Sequence, residues 1–123
     1  MPPLRILLAE DHVLVRKLLV KSLISAGYAV TAAEDGDKAR WLLENGTAAD
    51  ILLSDIRMPG SMDGFQLARW VRQNRPHMAI LLQSAFADLA TEEFRVLRKP
   101  FSPDELAAAI RDLLLGRAEP SAP

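Results

Sequence analysis

Short apolar runs alternate with stretches of helical spacing along this chain, and that alternation limits its fold more than any other feature. Leu4-Arg5-Ile6-Leu7-Leu8-Ala9 is the first run, 28–32 the second, Ile51-Leu52-Leu53-Ser54 the third, 78–83 the fourth and 95–98 the fifth. Between them, Val15, Leu18, Leu19 and Leu23 recur at helical spacing, which predicts a helix over 12–26. Ala39, Leu42 and Leu43 predict a second helix ending near Asn45, and Gly64, Leu67, Ala68 and Val71 a third ending near Asn74. Leu106, Ala109, Ile110 and Leu113 mark the last helix, with Ser102 as N-cap, Pro103 in the first turn and Glu105 completing a capping box. Gly27, Gly46 and Gly116 follow helical patterns as C-terminal glycines do. Strands that alternate with helices predict a doubly wound α/β fold, and near-continuous apolar strands predict a parallel sheet covered on both faces.

The ends of these runs carry the chemistry. Glu10 and Asp11 follow the first run, Asp55 closes the third, Ser84 the fourth, and Lys99 the fifth. In a doubly wound sheet, ligands sit at the carboxyl ends of the strands, so these five residues gather at one edge. Clustered carboxylates repel and capture a cation, and an all-oxygen set selects a hard ion such as Mg²⁺. A metal beside a carboxylate nucleophile, a lysine and a hydroxyl is a set suited to phosphoryl transfer onto Asp55. Each residue also has a plainer role: Asp55 as a turn-former, Glu10 and Asp11 as helix caps, Lys99 as a solvated loop residue. Their coincidence at matched strand ends favours the chemical reading. His12 and His77 lack the spacing of a metal pair. Trp41 and Trp70 read as packing or half-exposed helix residues, and Asp35-Gly36 as a turn into the second helix.

Composition narrows the remaining classes. The 123 residues fit one domain, expected over 1–116, with 117–123 as a flexible tail or linker stub. Fifteen basic and sixteen acidic residues leave a net charge of −1, so neither nucleic acid nor an anionic membrane is an expected partner. There is no cysteine, which excludes thiol chemistry and disulfides. The apolar stretches are far shorter than the roughly 20 residues that span a bilayer. Met1-Pro2-Pro3 does not resemble a secretory signal, so the cytoplasm is the expected location.

The motifs Ile6-Leu7-Leu8-Ala9-Glu10-Asp11, Leu52-Leu53-Ser54-Asp55-Ile56-Arg57-Met58-Pro59 with Met62-Asp63-Gly64, Leu81-Leu82-Gln83-Ser84-Ala85 and Leu97-Arg98-Lys99-Pro100-Phe101 follow in order. Together they resemble the receiver domains of bacterial two-component response regulators. The resemblance implies a five-stranded sheet in the flavodoxin-like order 2-1-3-4-5. It implies that Asp55 accepts a phosphoryl group from a histidine kinase or histidine phosphotransfer protein. Mg²⁺ would be held by Asp11, Asp55, the backbone carbonyl of Arg57 and, largely through water, Glu10. Ser84 and Lys99 would bind the phosphoryl group, with Lys99-Pro100 in the cis form. Arg57 and Phe86 occupy positions that tune dephosphorylation in such domains. The resemblance describes a signalling switch rather than an enzyme, with the downstream protein target unspecified and homodimerisation left open.

Two departures stand out. Val96 replaces the aromatic that such domains commonly carry three residues before the lysine. Only ten residues, 85–94, join the fourth and fifth strands, whereas parallel crossovers normally take a dozen or more. A helix over 88–93 would rise about 9 Å, so a shortened or irregular fourth helix and an altered output surface are expected. Similar shortened receivers are seen attached to hybrid histidine kinases, which favours that origin or a stand-alone relay protein. Two other readings remain: a protein-binding pseudo-receiver that is not phosphorylated, and a metal-dependent phosphohydrolase. The latter usually needs a second acid two residues after the nucleophile, where Arg57 stands.

Overall fold

The structure, a computed structural model, describes residues 2–85 and 93–118. Five parallel strands form one sheet: β1 (Arg5–Ala9), β2 (Ala29–Ala33), β3 (Ile51–Asp55), β4 (Ala79–Ser84) and β5 (Arg95–Arg98). Their order is β2-β1-β3-β4-β5. Among the described residues, four helices pack on the sheet: α1 (Val13–Ser25), α2 (Gly36–Glu44), α3 (Gly64–Asn74) and α4 (Pro103–Ala118).

The period of two along each strand builds both layers of core at once. Ile6 and Leu8 of β1, Ile51 and Leu53 of β3, and Leu81 of β4 pack against Leu19 and Leu23 of α1 and Leu106 and Ile110 of α4. Leu7, Ala9 and Leu52 point to the opposite face and meet Ala39 and Leu43 of α2 and Leu67 and Val71 of α3. Strands buried on both sides need apolar residues at every position, which is why the runs look continuous rather than alternating. Register pairs Ala9 with Ser54 and Asp55 with Gln83, so the carboxyl ends of β1, β3 and β4 lie level.

Several boundaries differ from the sequence reading. The first helix begins at Val13, and His12 caps it by accepting from the Val15 amide at 3.4 Å. The cap is therefore neither Glu10 nor Asp11. The second strand starts at Ala29 rather than Tyr28 and runs through Ala33. Gly27 and Gly46 do adopt the left-handed conformation, with φ of 99° and 100°. Gly116 does not end its helix, which continues to Ala118. The Ser102–Glu105 capping box forms reciprocally, at 3.1 Å each way. The expected fourth helix over 88–93 and Phe86 fall largely or wholly outside the described residues, as do residues 119–123 of the expected tail.

Candidate functional site

The order of the sheet reverses between β1 and β3: β1 leads outward to β2, β3 outward to β4 and β5. Crossovers leave this point on opposite faces and open a crevice at the strand ends. Glu10 and Asp11 stand at the end of β1 and Asp55 at the end of β3, so the topology alone brings three acids together. One carboxylate oxygen from each lies within 4.8 Å of the other two.

Their environments differ sharply. Glu10 is fully buried, Asp55 partly buried and Asp11 exposed. Glu10 is held from three sides. Its Oε2 accepts the His12 amide at 3.1 Å, its Oε1 accepts Lys99 Nζ at 3.1 Å, and its carbonyl accepts Arg16 Nη1 at 2.8 Å. Burial pushes the Glu10 carboxyl above the ordinary glutamate range; Asp55 adds to the rise, while the His12 amide and Lys99 oppose it. Lys99 also reaches Asp55 Oδ2 at 3.1 Å. Burial works against the ammonium charge, yet Asp55 and Glu10 together outweigh it and raise the Lys99 pKa.

Lys99 arrives there because β5 delivers it. Its amide donates to the Ser84 carbonyl at 2.8 Å, continuing the β4–β5 ladder by one step. The Lys99-Pro100 bond is cis. Ser84, at the end of β4, is buried, at 2% exposed.

Beyond Asp55 the chain turns back sharply. The Gly64 amide donates to the Ile56 carbonyl at 2.8 Å. A Cβ on Gly64 would lie 2.2 Å from the Asp55 carbonyl oxygen, so no other residue fits without displacing the strand end. Asp63 caps α3 in a capping box with Gln66. Arg57, Met58, Pro59 and Asp63 form one wall of a cleft of about 500 Å³ that also includes Asp11 and Phe65.

The structure thus brings Glu10, Asp11, Asp55 and Lys99 into direct proximity, with Ser84 on the adjoining strand end. Arg57 is exposed on the cleft wall. Val96 is partly buried against a small cluster that contains Ile56, Leu82 and Phe94. Asp63 went unread as an N-cap in the sequence, although its spacing to Gln66 is that of a capping box, and nothing local signalled its place on the cleft wall. Asp37 was not legible at all: it accepts from the Ser61 amide at 3.0 Å, across 24 residues of sequence.

Five parallel strands in this order, with acids at the switch point and a lysine from β5 among them, define a receiver of two-component signalling. The chain belongs to the response regulator receiver domain family, whose model matches residues 6–111. The response regulator receiver protein CpdR of Brucella abortus is 38% identical over 118 residues, covering 90% of this chain and 97% of CpdR. The DNA-binding transcriptional regulator NtrC of Salmonella typhimurium is 35% identical over 108 residues, covering 82% of this chain and 23% of NtrC. The chain therefore spans under a quarter of NtrC and nearly all of CpdR. The crystal structure of response regulator TrrA from Thermotoga maritima, in complex with Mg²⁺-BeF, superposes with a TM-score of 0.79. It is 30% identical, over 89% of this chain and 98% of TrrA. No described helix is long and apolar enough to cross a membrane.

Proposed function

We propose that this receiver accepts a phosphoryl group on Asp55 from a phosphohistidine of a histidine kinase or histidine phosphotransfer protein, with Mg²⁺ as cofactor. The observation that carries the reading is the charge arrangement: three carboxylate oxygens within 4.8 Å, with Lys99 Nζ 3.1 Å from two of the groups. Such an all-oxygen donor set suits a hard divalent cation. Asp11, Asp55 and Glu10 would hold it, together with the Arg57 carbonyl. When bound, Mg²⁺ supplies positive charge opposite the phosphoryl oxygens.

The chain's own groups divide the remaining work. An Asp55 carboxylate oxygen attacks phosphorus in line with the departing imidazole nitrogen. Lys99 transfers a hydrogen bond from the carboxylate to a phosphoryl oxygen, and the Ser84 hydroxyl donates to another. Buried Glu10 keeps its place through the His12 amide while Lys99 moves. The product is a conformational signal to a partner protein rather than a released chemical product. We assign the switching unit to 1–118, since α4 runs to Ala118, with 119–123 as tail or linker, acting in the cytoplasm.

The test is intact mass after incubation with Mg²⁺ and acetyl phosphate. A gain of one phosphoryl group, lost in Asp55→Asn and in EDTA, is the expected result. An unmodified wild-type protein that also fails to bind Mg²⁺ would convert the reading to a non-phosphorylated pseudo-receiver. Rapid multiple turnover of the donor would point instead to a hydrolase.

A further inference from the structure

The Asp37 carboxylate lies outside the charge cluster, on the first turn of α2, yet it grips the loop that follows Asp55. Its Oδ2 accepts the Ser61 amide at 3.0 Å and its Oδ1 accepts the Ser61 hydroxyl. Two glycines show how closely the pieces seat. A Cβ on Gly60, which has φ +98°, would lie 2.6 Å from Asp37 Oδ2. A Cβ on Gly36 would lie 2.5 Å from the Met62 carbonyl oxygen. The contact is therefore an interlock made from both sides, and only part of it is hydrogen bonding.

Met58 and Met62 pack the gripped segment against the core, whereas Ser61 beside them is exposed. The segment leaves the sheet after Asp55 and Ile56 and returns at Gly64, whose amide donates to Ile56. Between those points its Arg57, Met58, Pro59 and Asp63 form one wall of the cleft that faces Asp11. The exposed stretch between such contacts keeps conformational freedom, and each conformation places the backbone after Asp55 differently. A carboxylate that takes two donors from Ser61 removes part of this freedom.

We infer that Asp37 is a positioning residue for the metal and phosphoryl site. It touches neither Asp55 nor anything bound there. It fixes the β3–α3 loop, and through it the Arg57 carbonyl, so that the site is formed before the cation arrives. This inference rests on the proposed function, because it assigns that carbonyl to the metal. It also ties α2 to the site, so a protein that displaced the first turn of α2 would loosen metal binding without contacting it.

The test compares wild type, Asp37→Ala, Asp37→Asn and Ser61→Ala. Asparagine can accept the Ser61 amide on Oδ1 and donate from Nδ2 to the hydroxyl oxygen, so it preserves both contacts in altered form. Mg²⁺ affinity is measured by calorimetric titration, and the rate of Asp55 phosphorylation by acetyl phosphate is followed against Mg²⁺ concentration. Outer groups that orient metal ligands typically contribute 10–100-fold to affinity, so Asp37→Ala is expected to weaken Mg²⁺ about tenfold. The maximal rate at saturating Mg²⁺ stays within about twofold of wild type, Asp37→Asn restores the affinity, and Ser61→Ala falls between. A merely structural clamp would lower the melting temperature of Asp37→Ala and leave its Mg²⁺ affinity at the wild-type value; that result overturns the inference. A wild-type protein that binds no Mg²⁺ overturns the proposed function instead. The clamp is then judged by amide exchange at Met62 and Gly64, which accelerates in Asp37→Ala if the grip is real and stays unchanged if it is not.

Discussion

Replacing Lys99 by Met tests the electrostatics of the site directly, because it keeps an unbranched side chain only one atom shorter and deletes the charge. Lys99 Nζ lies 3.1 Å from an oxygen of Glu10 and of Asp55, and at an effective dielectric near 20 each contact is worth about 5 kcal/mol of attraction. Carboxylate oxygens no more than 4.8 Å apart repel by at least about 3.5 kcal/mol per pair on the same scale. With the lysine present these gross terms come close to cancelling; without it the repulsion stands alone. Solvent at Asp11 screens part of it, and Glu10 can escape the rest by taking a proton. The net loss expected for Lys99→Met in EDTA near neutral pH is thus about 3 kcal/mol, the range found when one partner of a buried pair is removed. The loss depends on pH with a definite sign. Glu10 already has its pKa raised in the folded state, and deleting Lys99 removes a lowering influence. The folded variant therefore binds more protons than the unfolded chain, so its stability falls as pH rises through the raised value and recovers in mild acid. A divalent cation replaces the missing charge, so Mg²⁺ at about a hundred times its dissociation constant should return close to 2.7 kcal/mol. Urea unfolding in EDTA and in Mg²⁺, at two pH values, reads all three effects. A Lys99→Met protein as stable as wild type in EDTA, or one that Mg²⁺ does not stabilise, would refute the argument.

Two further perturbations probe the frame around the site. Gly64→Ala places a methyl group 2.2 Å from the Asp55 carbonyl oxygen and 2.7 Å from the Ile56 Cα. Backbone cannot give way as a flexible side chain would, so a loss of about 3 kcal/mol in urea unfolding is expected, and a loss under about 1 kcal/mol would contradict the steric account. Asp50 accepts the Arg5 amide at 2.8 Å and the Arg5 guanidinium at 3.1 and 3.0 Å. The guanidinium bonds, followed by the amide bond, hold its carboxyl below the usual aspartate range. That stabilisation is complete above the unfolded value near pH 4 and disappears as pH falls through the lower folded value. Asp50→Asn should therefore cost about 1 kcal/mol at neutral pH, with the gap to wild type closing in acid. A gap independent of pH would remove the ionic explanation.

Local rules made the strand ends and most helix starts readable. The Ser102–Glu105 box involves residues three apart, and the left-handed turns at Gly27 and Gly46 need only a glycine after a helical stretch. The site was readable for a topological reason: parallel strands of similar length put their carboxyl ends level, so acids that close runs 45 residues apart in sequence must meet. Gly116 misled because the same local signal lacked a cause. Leu113 and Leu114 pack against the core shared by α1 and α4, and the helix they belong to continues two residues past the glycine. The contact between Asp37 and Ser61 had no signal to find, since nothing in either neighbourhood specifies a partner 24 residues away.

Val96 directs attention to how a change at Asp55 would travel. It packs with Ile56 and Phe94 inside a small apolar cluster, and a β-branched side chain in such a cluster has little rotameric freedom. A swinging ring at this position is therefore not part of this chain's response. Lys99 offers a different route. Its side chain ties the ends of β1 and β3 together, while its amide is bonded to the Ser84 carbonyl at the end of β4. One residue of the β5 strand end thus holds three other strand ends. On the proposed reading, a phosphoryl group on Asp55 draws the ammonium away from Glu10, and the strain falls on the segment between Lys99 and the Ser102 cap of α4. The surface most directly coupled to phosphorylation is then the start of α4 beside α1, on the face of the sheet opposite α2 and α3.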